Sequence, residues 1–182
     1  MTYAELCRKQ YKQTKASFLP KLQAHYTAQR WQDFIGLALT VYEVMPEAFS
    51  VYDEIPNELK YDFAIDAYMH HGDSVPGVRK AVRNARRYGK PKLPEEIACK
   101  DVITVYRAGE EDISKCKYRL SWTLSAEVAL FFYAEYAKRH AQHVYRAQIK
   151  TADIIAYTNA REEQEVIQYR KVFDIQDITN TI

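Results

Sequence analysis

The sequence predicts an α+β protein in which a helical N-terminal part is packed on a small, mainly antiparallel β-sheet core. Two observations carry this. Apolar residues recur at helical spacing before about residue 95, and after it short β-branched runs alternate with one helix. A balance of 47% apolar and 27% charged residues is that of an ordinary globular chain, which excludes a disordered one. The expected division is a helical region over 1–95 and an α+β core over 96–182. The most apolar early stretch, Phe34 to Tyr42, is far too short to span a bilayer, so no membrane partner is expected.

In chain order, Thr2 and Glu5 have capping-box spacing and predict a first helix starting there. Pro20 is expected to open a second. Trp31, Phe34, Ile35, Ala38, Val41 and Tyr42 form the stripe of a third. Pro46 and Pro56 interrupt the segment after it. A helix from about Glu58 to His70 should bury Leu59, Phe63, Ala64 and Ala67 and end at Gly72. Asp73 or Ser74 then caps a helix from Val75 to Tyr88, with Pro76 in its first turn.

The second half opens with VITVYR, Val102 to Arg107, a strand by composition. A strand over Tyr118–Thr123 leads to a helix capped by Ser125, running from Ala126 to about Arg139. Its residues Val128 to Tyr133 are apolar almost all round, so deep burial is expected. Strands are expected at His143–Ile149, Ile154–Tyr157, Glu165–Tyr169 and Lys171–Ile175.

Three short patterns on this sheet carry chemistry. Val105-Tyr106-Arg107 ends an apolar strand in a guanidinium, and Ser121-Trp122-Thr123 projects two hydroxyls from one strand face. Glu162-Glu163-Gln164-Glu165 runs into apolar Val166 and Ile167. Each alone is ordinary. Together they juxtapose a bidentate anion ligand, two hydroxyls, and two carboxylates that an extended segment would point the same way. Crowded carboxylates need cations, hydrogen bonds or a shared proton, and sites that tolerate them are often functional.

In order and spacing the set resembles the Arg–Ser–Glu class of ADP-ribosyltransferases. Ser121-Trp122-Thr123, followed by Ala126, Ala129 and Phe131 or Phe132, is similar to the family's central motif. Glu163-Gln164-Glu165-Val166-Ile167 is similar to its Glu-x-Glu turn. The resemblance covers about Val102 to Tyr169. It implies an ADP-ribosyltransferase-like fold and a mono-ADP-ribosyltransferase that cleaves the nicotinamide–ribose bond of NAD, its substrate. It assigns catalysis to Glu165, Glu163 and Ser121, and NAD binding to Arg107, Tyr106, Ser121, Trp122, Thr123 and Phe132. Tyr157 is implied as a target-recognition aromatic. A macromolecular acceptor is expected, a protein in the first instance, with Glu163 leaning toward an arginine side chain; the whole set implies a toxin or effector role. An NAD glycohydrolase, or a non-catalytic binding module, is the alternative. No Gly-rich phosphate loop is present.

Arg79, Lys80, Arg83, Arg86 and Arg87 form a run without an intervening acid. It is either a solvated face or a docking surface for an acidic protein or nucleic acid. His70, His71, His140 and His143 read as helix-end histidines, and no metal site is expected. Cys7, Cys99 and Cys116 cannot all pair within the chain. They fit free thiols in a reducing compartment, and with no cleavable signal segment the expected location is cytoplasmic.

Overall fold

The computed structural model describes residues 2–110, 112–136 and 142–181. The chain is α+β, with about 54% helix and a six-stranded antiparallel sheet. It divides into two compact units, Met1–Gly89 and Lys90–Ile182.

The first unit is helical. Helix α1 (Tyr3–Thr27) begins with the expected capping box: Glu5 N–H donates to Thr2 Oγ1 and Thr2 N–H to Glu5 Oε2. Pro20 lies inside α1 and opens no new helix. A proline there costs about 3 kcal/mol or more. The turns beyond it are nevertheless held by buried Leu22 and by Tyr26, whose ring meets Trp31 and Phe34. Helix α2 (Trp31–Thr40) buries Phe34 and Ala38, whereas Tyr42 of the expected stripe is exposed. A short α3 (Met45–Ser50) starts around Pro46.

Helix α4 (Asn57–His71) buries Phe63, Ala64 and Ala67 as expected, but Leu59 only in part. The buried residue beside it is Lys60. Its ammonium donates to the Asp53 carbonyl and Asn57 Oδ1 and sits over the Tyr52 and Tyr88 rings. Gly72, at φ 63°, ends α4. The basic helix α5 (Val78–Asn84) starts later than expected, because Gly77 at φ 94° breaks helical geometry just before it. Ser74 caps nothing there; its hydroxyl donates to the His71 carbonyl. The inward stripe Val75, Val78, Val82 and Ala85 is buried.

The second unit starts with a one-turn helix α6 (Glu95–Ala98), then β1 (Val102–Gly109) and a helical turn α7 (Ile113–Cys116). The next strand, β2 (Ser121–Thr123), is shorter than expected, because Tyr118 and Arg119 close the turn after α7 on the Lys115 and Cys116 carbonyls. Helix α8 (Ala126–Tyr136) is capped by Ser125 Oγ, which accepts from Val128 N–H. The expected continuation to Arg139, and His140, lie outside the described residues.

Strands β3 (His143–Lys150), β4 (Ile154–Thr158), β5 (Glu165–Gln168) and β6 (Phe173–Asp177) complete the sheet, in the order β4-β5-β2-β1-β3-β6. The last strand begins two residues after its expected start because Val172 turns inward, its N–H bonding to the Lys117 carbonyl. The core holds Val105, Trp122, Tyr145, Ala147, Ile154 and Val166 among others.

Helix α8 is not deeply buried. It rests on the sheet through one face, where Ala129 is enclosed, and leaves Phe131 60% exposed. One-sided packing outweighs the apolar circumference that suggested full enclosure. Among the described residues no helix is long and apolar enough to cross a membrane.

Candidate functional site

Strand alternation places the site. Thr123 pairs with Glu165, Trp122 with Val166 and Ser121 with Ile167. The odd-numbered side chains of β2 therefore share a face with Glu165, while Trp122 and Val166 enter the core on the other. Tyr106 of β1 pairs with Thr123 on its opposite side. Three segments distant in sequence thus meet at β2.

The Ser121 hydroxyl donates to Glu165 Oε1 at 2.5 Å, within the range of a charge-assisted O–H···O⁻ bond. Glu165 is 7% exposed, so this bond forms where water competes weakly. Arg107 Nη1 donates to the Ser121 carbonyl at 2.8 Å and ties β1 to the same residue from its backbone side. Thr123 works differently from Ser121. Its hydroxyl donates to the Glu163 carbonyl at 2.6 Å and accepts from Ser125 N–H at 3.0 Å, joining the β4–β5 loop to the start of α8.

That loop is not the extended segment expected for Glu163 and Glu165. Glu162 and Gln164 stand at φ 59° and 46°, in the left-handed region. Asn159 holds the curl: its carbonyl accepts from Glu162 N–H and its Oδ1 from Gln164 N–H. The two carboxylates still converge, because Arg161 draws them together. Its Nη2 lies 2.9 Å from Glu163 Oε2 and 3.2 Å from Glu165 Oε2. Arg161 escaped the sequence reading. The only hint was its spacing, two residues before one carboxylate and four before the other, which becomes informative once the loop's curl is known.

A cavity of about 530 Å³ opens over these groups. It is lined by Tyr106, Arg107, Ser121, Thr123, Phe132, Glu163 and Glu165, all expected at the site, and by Arg119, Arg161 and Glu110, which were not. Trp122 borders it, but its indole is 2% exposed, belongs to the core cluster, and donates to the Arg119 carbonyl. A ligand-contacting role for that ring does not fit this placement. Tyr157 is not among the lining residues; it packs partly buried against the core cluster.

No protein-family model, curated protein or solved structure matches this chain. The site therefore speaks through its own chemistry. Among the described residues, three guanidinium groups and three carboxylates line one recess with two hydroxyls at its base. Such a set can bind an anionic, hydroxyl-rich molecule and stabilise a positive charge developing beside the carboxylates.

The remaining candidates lie elsewhere. His143 is the first residue of β3 and not a helix end; its Nδ1 is 2.7 Å from Asp177 Oδ2. Cys116 is buried, while Cys7 and Cys99 are exposed, and no two of them are joined by a disulfide. Among the described residues no group of three or more His, Cys, Asp or Glu is placed to hold a metal ion. In the first unit Lys80, Arg83, Arg86 and Arg87 are at least partly exposed, and Arg79 pairs with Asp73 at 3.1 Å.

Proposed function

We propose that the second unit is an ADP-ribosyltransferase-like domain that cleaves the nicotinamide–ribose bond of NAD and transfers ADP-ribose to a macromolecular acceptor. The observation that carries this reading is the Ser121–Glu165 bond at the base of a cavity that Arg107 also lines. Its volume, about 530 Å³, falls within the roughly 300–1,000 Å³ usual for sites that enclose ligands of this size.

Loss of nicotinamide leaves an oxocarbenium-like ribose, as in glycoside cleavage. Glu165, oriented by Ser121, accepts a hydrogen bond from the ribose 2′-hydroxyl and stabilises the developing cation. Arg107, a planar and permanently charged fork, faces the pyrophosphate. Glu163, on the loop side, receives the proton that the acceptor loses. Tyr106 and Phe132 offer aromatic surface to the nicotinamide and ribose.

The test uses NAD labelled in the adenylate half, a cell extract as acceptor source, and the intact chain beside Glu165→Gln. Label passes to macromolecules with the parent chain, and falls by at least about 100-fold in the variant while circular dichroism is unchanged. Equal labelling by the two, or no consumption of NAD by either, refutes the proposal. Free ADP-ribose as sole product makes the chain a glycohydrolase.

A further inference from the structure

The carboxylate pair of the site already holds a guanidinium, and it is the chain's own. Arg161 reaches Glu163 Oε2 and Glu165 Oε2 with the same nitrogen, Nη2, at 2.9 and 3.2 Å. Its side chain as a whole is 55% exposed, yet it lines the same cavity as Arg107, Ser121 and Glu165. Its loop is shaped to keep it there, by the Asn159 bonds and the two left-handed residues at 162 and 164.

Under the reading above, a ribose held by Glu165 presents its anomeric carbon beside the atom that Glu165 and Glu163 now grip. We infer that Arg161 is itself an acceptor, so that the chain ADP-ribosylates its own active-site loop. This rests on the proposed NAD chemistry. Nη2 forms a bond to C1′ of the ribose as the bond from C1′ to the nicotinamide nitrogen breaks. The bonding pair leaves with nicotinamide, which departs neutral. The Nη2 proton passes to the Glu163 carboxylate and from there to solvent. NAD and the guanidinium supply every atom of the product, and no further reactant is required. A nucleophile already positioned reacts at a high effective concentration, so the transfer proceeds within one molecule. The attached ADP-ribose then occupies the cavity it came from.

The experiment incubates the purified full chain with NAD and no other protein, follows nicotinamide release, and maps added ADP-ribose by peptide mass spectrometry. The parent chain acquires one ADP-ribose on the peptide containing Arg161, and the fraction modified at a given time does not change on dilution of the protein. Arg161→Lys keeps a cation between the carboxylates but removes the guanidinium, and the mapped peptide of that variant carries no ADP-ribose. Nicotinamide release with Arg161 unmodified, or modification that slows in proportion to dilution, overturns the inference and leaves the NAD reading standing. No nicotinamide release from the parent chain overturns both.

Discussion

Replacing Ser121 by alanine isolates the bond on which the site depends. The hydroxyl donates to Glu165 Oε1 at 2.5 Å, and Glu165 is 7% exposed. A hydrogen bond to a charged group of this kind contributes about 1.5–3 kcal/mol. The variant removes it and leaves Oε2 on Arg161, so the carboxylate keeps one restraint and loses the other. Where the bond positions Glu165 for the transition state, the whole difference falls on turnover, which drops roughly 10- to 150-fold. On the proposed reading, which assigns the pyrophosphate contacts to Arg107, KM for NAD changes little. Stability falls too, by up to about 1.5–3 kcal/mol, because a buried carboxylate oxygen loses its donor. Ser121→Thr, which keeps a hydroxyl on a β-branched residue suited to a strand, recovers part of the loss. The assay is initial-rate nicotinamide release over a range of NAD concentrations, with a thermal melt of each variant. A Ser121→Ala chain with turnover within twofold of the parent, or a threonine variant no better than alanine, refutes the argument that this bond orients the carboxylate.

Other perturbations have equally definite outcomes. Arg107→Lys loses the planar fork and the 2.8 Å bond to the Ser121 carbonyl; KM for NAD rises about tenfold, read from the same rate curves. Gly77→Ala places a Cβ 3.2 Å from Phe49 Cβ at φ 94° and destabilises the chain by about 1–3 kcal/mol, measured by urea denaturation. Thr2→Ala removes the cap of α1, which weakens that helix by about 1 kcal/mol and speeds amide exchange in its first turn. At the sheet edge, burial pushes the Asp177 carboxyl up, but the Thr179 hydroxyl and amide together with His143 outweigh it and hold the carboxyl below its usual 3.8. A carboxylate depressed in the folded state adds stability above the unfolded pKa, and that stability is lost as the pH falls through the folded one. Melting temperature therefore falls more steeply below pH 3.8 in the parent than in Asp177→Asn, and parallel curves for the two disprove it.

The features legible in the sequence are the local ones. The capping box at Thr2 and Glu5, the glycine stop at Gly72 and the Ser125 cap are bonds between near neighbours, so spacing alone reveals them. Alternation in SWT and EVI told which side chains share a face, and that places Ser121 and Thr123 beside Glu165 once the two strands pair. It told equally that Trp122 faces the other way, although the resemblance had put its ring with the ligand.

The misses have a common origin in backbone conformation or in distant packing. Gly77 at φ 94° delays α5, and Pro20 is carried within α1 by contacts beyond it. Phe131 is exposed because only one face of α8 meets the sheet. Arg161 reaches both carboxylates through two left-handed residues, neither of them glycine, a conformation that composition does not announce.

The strand order has a bearing on synthesis. The central strand β2 is only three residues long and leans on β1 at one side and β5 at the other. A ribosome releases Arg107 and Ser121 early, yet the carboxylate that completes their recess arrives 44 residues after Ser121. No nascent fragment that stops short of Glu165 can assemble the recess, and pairing across such a separation is among the slower steps of folding. The recess thus stays incomplete during translation until Glu165 has emerged and β5 has paired with β2.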